Sequence, residues 1–486
     1  MSHDLAALFD PDGIIITGVS NHPGKFGFVT LHNILASGYR GRIFPVGREP
    51  GDALGQAVLG SIDDVPDGAA DLIFICTPQA INEDLLRAAA AKGVTAAFFA
   101  AAGYREAGAA GAEAERRLVA LAEELGVAVA GPNGQGVVST PSRMCAQIVA
   151  PYAPPGRIAV ASQSGNFVSS FLNLARHTGV GISRAVAAGN AAVLGIADYL
   201  EWFADDPATD VCLVYMESVD AGRELFERLR AVSERKPIVL VKGGASDAGA
   251  RAAASHTGAL ATDDSVFDGM CRQAGVLRAR DVEEAFETAA TLATQPLPQG
   301  NRVVVVTTVG GWGVAAVDAM TPTRLSADPL PADLHAAIDE LLPPRWSKNN
   351  PIDMAGGETR DTVPAILELA AAHPEVDSVL FLGLGIQSNT AAMMREGPFY
   401  PDHGLERIVD FHERQDTRYA QAAAEIASTT GTPVLMATEL ANARPDNPGP
   451  TAARAAGVMC HASAGRAIRS LDLVTRYGRW RRARGR

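Results

Sequence analysis

Gly13-Ile14-Ile15-Ile16-Thr17-Gly18 is the stretch that decides the fold of this chain. Four β-branched residues between two glycines form a short apolar run bounded by turn signals, the pattern of a strand buried on both faces. The run leads to Phe28-Val29-Thr30-Leu31 and a helical pattern through Leu35. Strand, glycine turn and helix together make the first half of a βαβ unit, and such units build parallel sheets. The alternation continues with strands predicted at Arg42 to Val46, Leu72 to Cys76, Ala96 to Ala100 and Val127 to Ala130. An Ala/Glu/Arg-rich helix separates the last two, and one doubly wound domain closes near Gly136.

Tyr152-Ala153-Pro154-Pro155-Gly156 then punctuates the chain as a linker. A second unit starts at once, with a strand at Arg157 to Ala161, a helix at Asn166 to Ala175 and strands at Val211 to Met216 and Ile238 to Lys242. Gln295-Pro296-Leu297-Pro298-Gln299-Gly300 is a second linker, and Arg302 to Thr308 opens a third unit with later strands at Val379 to Gly383 and Val434 to Ala437. The expectation is an α/β protein of three doubly wound domains, at 1–140, 151–295 and 300–480, that share an architecture without an evident sequence repeat.

Composition agrees with that frame. The 486 residues are 47% hydrophobic and 20% charged, ordinary globular material. No apolar run approaches the ~20 residues of a membrane span. The start Met1-Ser2-His3-Asp4-Leu5 lacks the charged-then-apolar order of a signal peptide. Cys76, Cys145, Cys212, Cys271 and Cys460 are scattered with no C-x-x-C pair, so no metal site or disulfide framework is expected. The reading is a cytoplasmic protein with reduced thiols and no membrane contact. A net charge of -13 argues against nucleic-acid binding. The basic tail Arg476 to Arg486 is a solvated end or a dock for an acidic partner.

Chemistry concentrates in the turns after strands, where several backbone N–H groups meet at a helix start and phosphates bind. In Gly18-Val19-Ser20-Asn21-His22-Pro23-Gly24-Lys25-Phe26-Gly27 the glycines are too widely spaced for the G-x-G-x-x-G nicotinamide fingerprint, and a lysine is added. Where an acid for a ribose hydroxyl would stand, the chain has Arg40-Gly41-Arg42, which would favour another phosphate. The first domain therefore reads as a binder of a phosphate-rich nucleotide, with a glycine turn carrying surface basics as the alternative. Ser162-Gln163-Ser164-Gly165 lacks the first glycine of a nucleophile elbow and reads as a second anion-binding helix start. Ser255-His256-Thr257-Gly258 follows the glycine-rich Lys242-Gly243-Gly244 and puts an imidazole at a helix entrance, a place that suits a phosphoryl group. Alone, it also reads as a helix cap or polar loop. Glu217, at the carboxyl end of a strand, could orient that imidazole or could be a solvated strand-end acid. Gly310-Gly311-Trp312-Gly313 has no nucleophile–base pair near it and reads as a structural or interface element.

Together these residues resemble the nucleoside-diphosphate-forming acyl-CoA synthetases, which include ADP-forming acetyl-CoA synthetase and succinyl-CoA synthetase. The resemblance is carried in family order by Gly18-Val19-Ser20 with Pro23 to Gly27, Gly41 to Val46, Ala101-Ala102-Gly103-Tyr104, Gly131-Pro132-Asn133, Ser162 to Gly165 and Ser255 to Ala261. Gly310 to Gly313, Asn350-Pro351-Ile352-Asp353 and the end Gly457 to Tyr477 complete it. It implies an α-type subunit with a Rossmann-like CoA-binding domain followed by two flavodoxin-like domains of the succinyl-CoA-synthetase type. It places CoA contacts at Gly18, Ser20, Gly24, Lys25, Gly27, Val46, Thr77, Pro78, Ala102, Gly103 and Asn133. Phosphate contacts fall at Ser162, Gln163, Ser164, Gly165, Ser255, Thr257 and Gly258. His256 is the implied phosphate carrier and Glu217 its steadying carboxylate. The implied reaction joins a carboxylic acid to CoA at the expense of ATP, through an acyl phosphate and a phosphohistidine.

The chain departs from the family at Val46-Gly47-Arg48, where Val-Asn-Pro is usual, and at Val193-Leu194-Gly195, where two acids are missing, although Asp198 still matches. The family's arginine after the Lys242 strand is also replaced, around Gly244-Ala245-Ser246. No segment reads as an ATP-grasp domain, so ATP/ADP with Mg is expected on a separate ATP-grasp β-type subunit within an oligomer. A non-catalytic CoA or acyl-CoA sensor of the same fold is the competing expectation. A nicotinamide-dependent dehydrogenase is disfavoured by Lys25 and the glycine spacing.

Overall fold

The computed structural model describes residues 4–149, 151–217, 222–246, 248–249, 251, 263–357 and 359–485. Ser255, His256, Thr257 and Gly258 lie outside the described residues. The first sheet contains β1 (Gly13–Thr17), β2 (Arg42–Val46), β5 (Leu72–Ile75), β6 (Ala96–Phe99) and β7 (Ala128–Ala130), all parallel, in the order β2-β1-β5-β6-β7. A small antiparallel hairpin, β3 (Gly51–Ala53) with β4 (Gln56–Val58), follows β2. As the Ile14 to Thr17 run predicts, every residue of β1 is buried.

The second sheet is built on β10 (Pro155–Ser162), β11 (Ile182–Ala187), β12 (Val211–Met216), β13 (Ile238–Lys242) and β14 (Leu277–Ala279). A hairpin, β8 (Gly136–Ser139) with β9 (Met144–Gln147), pairs antiparallel with β11, and the seven strands run β14-β13-β12-β10-β11-β8-β9. In the third sheet β15 (Val303–Thr307), β16 (Ile352–Asp353), β17 (Ser378–Leu382), β18 (Val434–Ala437) and β19 (Cys460–His461) take the order β16-β15-β17-β18-β19.

With the hairpin set aside, all three sheets repeat one order: second, first, third, fourth, fifth. In each, the chain starts inside the sheet, steps to one edge and then returns past its first strand. That reversal makes a topological switch point, and in open α/β sheets ligands sit outside the carboxyl ends of the strands at such a point. The switch points here are β1 with β5, β10 with β12, and β15 with β17.

The chain packs as two compact units, Met1–His177 with Gly181–Ala285, and Thr178–Val180 with Phe286–Arg486. The first unit holds the first two sheets. Asn33, on the helix Phe26–Ala36, donates through Nδ2 to the Gln147 carbonyl on β9 at 2.6 Å. Arg184 on β11 is 4% exposed; its Nε donates to Asp206 Oδ2 at 3.1 Å, and its Nη1 reaches Asp10 and Ser139. In the second unit, the Asn350 side chain extends the β15 ladder, accepting from the Val305 N–H at 3.0 Å and donating to the Val303 carbonyl at 2.8 Å. No helix among the described residues is long and apolar enough to cross a membrane.

Candidate functional site

At the first switch point the chain leaves β1 through Gly18 and β5 through Cys76, opening a cleft of about 860 Å³. Of the residues expected to contact CoA, Gly18, Ser20, Lys25, Val46, Thr77, Pro78 and Ala102 line it. The helix Phe26–Ala36 starts at Lys25, and no side chain caps that start. Its first backbone N–H groups are therefore available to an anion, and the helix dipole favours one. The turn before it is held by its own histidine, whose Nδ1 accepts the Gly24 N–H at 3.1 Å while its carbonyl accepts the Lys25 N–H at 3.0 Å.

Gly24, Gly27, Gly103 and Asn133 do not line the cleft. Gly24 shapes the turn, and Gly27 lets the helix lie against the Gly18 carbonyl. The Gly103 N–H donates to Glu106 Oε1 at 2.6 Å. Asn133 follows β7 and reaches across to Asn190, beyond β11, at 3.4 Å.

Arg40 and Arg42 require a correction. They stand where β2 begins, so they flank the amino end of the sheet together with Asp10, Asp12 and Arg143. The cleft opens where β2 ends, and the cation offered there is Arg48. A Cβ at Gly47 would lie 2.3 Å from the Val19 carbonyl oxygen, so the asparagine usual in the family cannot be accommodated without a shift. Phe26 and Ile81 line the same cleft with 51% and 48% of their surface exposed, giving an apolar wall beside the two cations. Sequence reading missed both. The signal was an apolar side chain at a helix entrance, Phe26 opening the helix Phe26–Ala36 and Ile81 standing just before the helix Asn82–Ala91, where nothing in the sequence tells a packing residue from a ligand-facing one. Glu49 and Asp52 also line the cleft, so it is polar in both signs.

The second switch point brings other predicted residues together. Gln163, the first residue after β10, donates its N–H to the Tyr215 carbonyl at 3.2 Å and accepts the Glu217 N–H on Oε1 at 2.6 Å. Ser162 Oγ donates to the Ser164 carbonyl at 2.7 Å and accepts the Ser164 N–H at 3.1 Å, closing the turn into the helix Gly165–Thr178. Glu217 thus stands beside a helix start at the carboxyl end of the sheet. Next to it, Lys242 ends β13 with its Nζ 3.1 Å from the Gly243 carbonyl, and burial holds its pKa below the usual lysine value. The position of His256 relative to these groups lies outside the described residues. In the third sheet, Gly310 opens the helix Gly310–Met320 against Asp353.

Three family descriptions match the sequence: a CoA binding domain over residues 13–140, a succinyl-CoA ligase like flavodoxin domain over 155–292 and a ligase-CoA domain over 303–394. Among relatives, the α subunit of acetate–CoA ligase (ADP-forming) I from Pyrococcus furiosus is 36% identical over 388 residues, 78% of this chain and 82% of that one. Acetate–CoA ligase (ADP-forming) I from Archaeoglobus fulgidus is 34% identical over 77% of this chain, and the match spans 54% of that longer protein. The solved structure of the dinucleotide-forming acetyl-coenzyme A synthetase 1 of Ca. Korarchaeum cryptofilum, in complex with phosphate and ADP, superposes with a TM-score of 0.83. It is 28% identical, with 99% of this chain and 98% of that chain covered.

Proposed function

Because the chain belongs to the nucleoside-diphosphate-forming acyl-CoA synthetases and is of their α-subunit type, we propose that residues 1–140 bind CoA, 151–295 carry phosphate on His256, and 300–480 meet an ATP-grasp partner. The phosphoryl group passes from ATP, held with Mg on that partner, to an imidazole nitrogen of His256. A carboxylate then takes it, forming an acyl phosphate, and the CoA sulfur attacks the acyl carbon while phosphate leaves. Glu217 steadies the charged imidazole, and the helix start at Gly165 stabilises the transferred charge. This work belongs in the cytoplasm, where CoA and ATP are at hand.

The observation that carries the proposal is that both predicted groups stand at switch points. Lys25 lines the cleft of the first sheet, and Glu217 meets Gln163 in the second. The cleft suits CoA in kind: an uncapped helix start and two cations for phosphates, and an apolar wall for the pantetheine arm or adenine. The relatives named as α subunits support a partner chain for the nucleotide.

Titration calorimetry of the full chain is expected to show CoA binding and no NAD binding. Lys25→Ala weakens CoA binding by about 1–3 kcal/mol, the range for a hydrogen bond to a charged group. Tight NAD binding without CoA binding overturns the assignment of the cleft. The complete reaction is read by supplying carboxylic acids, CoA and ATP with and without an ATP-grasp partner. Acyl-CoA is expected only with the partner, and turnover by the lone chain would overturn the division of labour.

A further inference from the structure

We propose that Tyr215 is a positioning residue for the Glu217 carboxylate, holding it in the orientation from which it steadies a phosphorylated imidazole. This rests on the roles given above to Glu217 and His256.

Tyr215 sits two residues before Glu217 near the end of β12, so the two side chains leave the strand on the same side. Its hydroxyl donates to Glu217 Oε1 at 3.1 Å. Three neighbours keep the ring there. Phe167, in the first turn of the helix Gly165–Thr178, packs on it with ring centroids 3.9 Å apart and planes tilted by 32°. Gln163 holds the backbone on both sides of the pair, through the Tyr215 carbonyl and the Glu217 N–H. Just past β13, Gly243 leaves the space the phenol oxygen occupies. A Cβ there would lie 2.7 Å from Tyr215 Oη and 3.3 Å from Glu217 Cγ.

The hydroxyl needs an explanation that packing does not supply. Tyr215 is 7% exposed, and phenylalanine would fill the same volume without taking a polar group out of water. The bond to Glu217 supplies that explanation, because a charged acceptor makes the stronger kind of hydrogen bond. Burial, and then the Glu217 charge, pushes the phenol above its ordinary pKa, so the hydroxyl stays protonated and remains the donor. A carboxylate with Oε1 held this way has its plane fixed, and with it the direction of Oε2. A fixed carboxylate in turn sets the tautomer and orientation of an imidazole.

Labelled acetyl phosphate tests this on the full chain, because it can phosphorylate His256 directly. An N–P bond forms, the P–O bond to the acyl oxygen breaks, and acetate leaves with the electron pair. Tyr215→Phe is expected to slow labelling roughly 10- to 100-fold, as loss of a hydrogen bond to a charged group implies, with the melting temperature unchanged. In a Glu217→Gln background the same substitution is expected to add nothing, since it acts only through the carboxylate. Wild-type labelling by Tyr215→Phe overturns the inference, and so does a full, additive loss in the double variant. If Glu217→Gln alone labels at the wild-type rate, or if the wild-type chain takes no label, the underlying reading of Glu217 and His256 fails instead.

Discussion

Replacing His256 with alanine is expected to abolish the acid-labile, base-stable phosphate label and to lower acyl-CoA formation by about 10⁴- to 10⁶-fold, the range seen when a covalent carrier is removed. The imidazole is the only proposed route between the nucleotide and the carboxylate. A transferred phosphoryl needs a nucleophile that is also a good leaving group, and an imidazole nitrogen is both. Two measurements check the loss: labelled ATP with an ATP-grasp partner, and labelled acetyl phosphate on the chain alone. A label that survives the substitution in either assay puts the phosphate on another residue. Glu217→Gln should keep the fold and slow both assays, since it removes charge with little change in shape.

The candidate site was legible where it depends on local sequence. Lys25 announces itself by standing at a helix start after a glycine turn, and it lines the cleft. Glu217 is visible as the acid that ends an apolar run, and the turn at Ser162 to Gly165 as a strand–helix junction. What was overlooked was direction. Arg40 and Arg42 have suitable chemistry at the wrong end of β2. Composition does not say whether a cation enters or leaves a strand, but the strand's own bounds do. Tyr215 was missed for a related reason. In a strand buried on both faces, every residue is apolar or aromatic, so no alternation marks the side that carries the site.

The fold was legible to the level of the βαβ alternation, because β-branched runs such as Val303 to Val306 can be little else. Its exceptions are pairings made at long range. Val137 and Val138 looked like the end of the first domain, yet they lie opposite Val186 and Ala185 at the edge of the second sheet. Nothing within that hairpin specifies its partner; the exposed edge of β11 does. The common strand order of the three sheets was equally hidden, since topology is set by which faces pack and leaves no sequence repeat.

Arg184→Met is expected to destabilise the first unit by about 3–5 kcal/mol at pH 7, the range for removing one partner of a buried ion pair. Methionine fills much of the same volume, so the loss comes from what Arg184 leaves behind. Asp206 is 5% exposed and among the described residues would keep Thr209 and the Ala208 N–H as side-chain hydrogen-bond partners, at 2.8 and 3.1 Å, with the Lys236 charge nearby. Asp10 is different, because its side chain is 38% exposed and water can take Arg184's place. The sign of the pH dependence follows from Asp206. Burial alone would raise its carboxyl, but the hydrogen bonds from Arg184 and Thr209 hold it below the usual carboxylate value in the wild type. A depressed pKa contributes stability above the unfolded value of about 3.9, and that contribution fades as pH falls through the folded value. Without Arg184, burial prevails and the charged form is penalised. The deficit of Arg184→Met should therefore be present already at pH 4, where the wild type still holds most of the Asp206 contribution, and grow further toward pH 7. Denaturant unfolding at the two pH values reads it, and Arg184→Met with Asp206→Asn should recover part of the loss at pH 7, because no unpaired charge remains buried. A deficit that is equal at both pH values, or one that the second substitution deepens, would show that Arg184 acts by packing and not through the Asp206 charge.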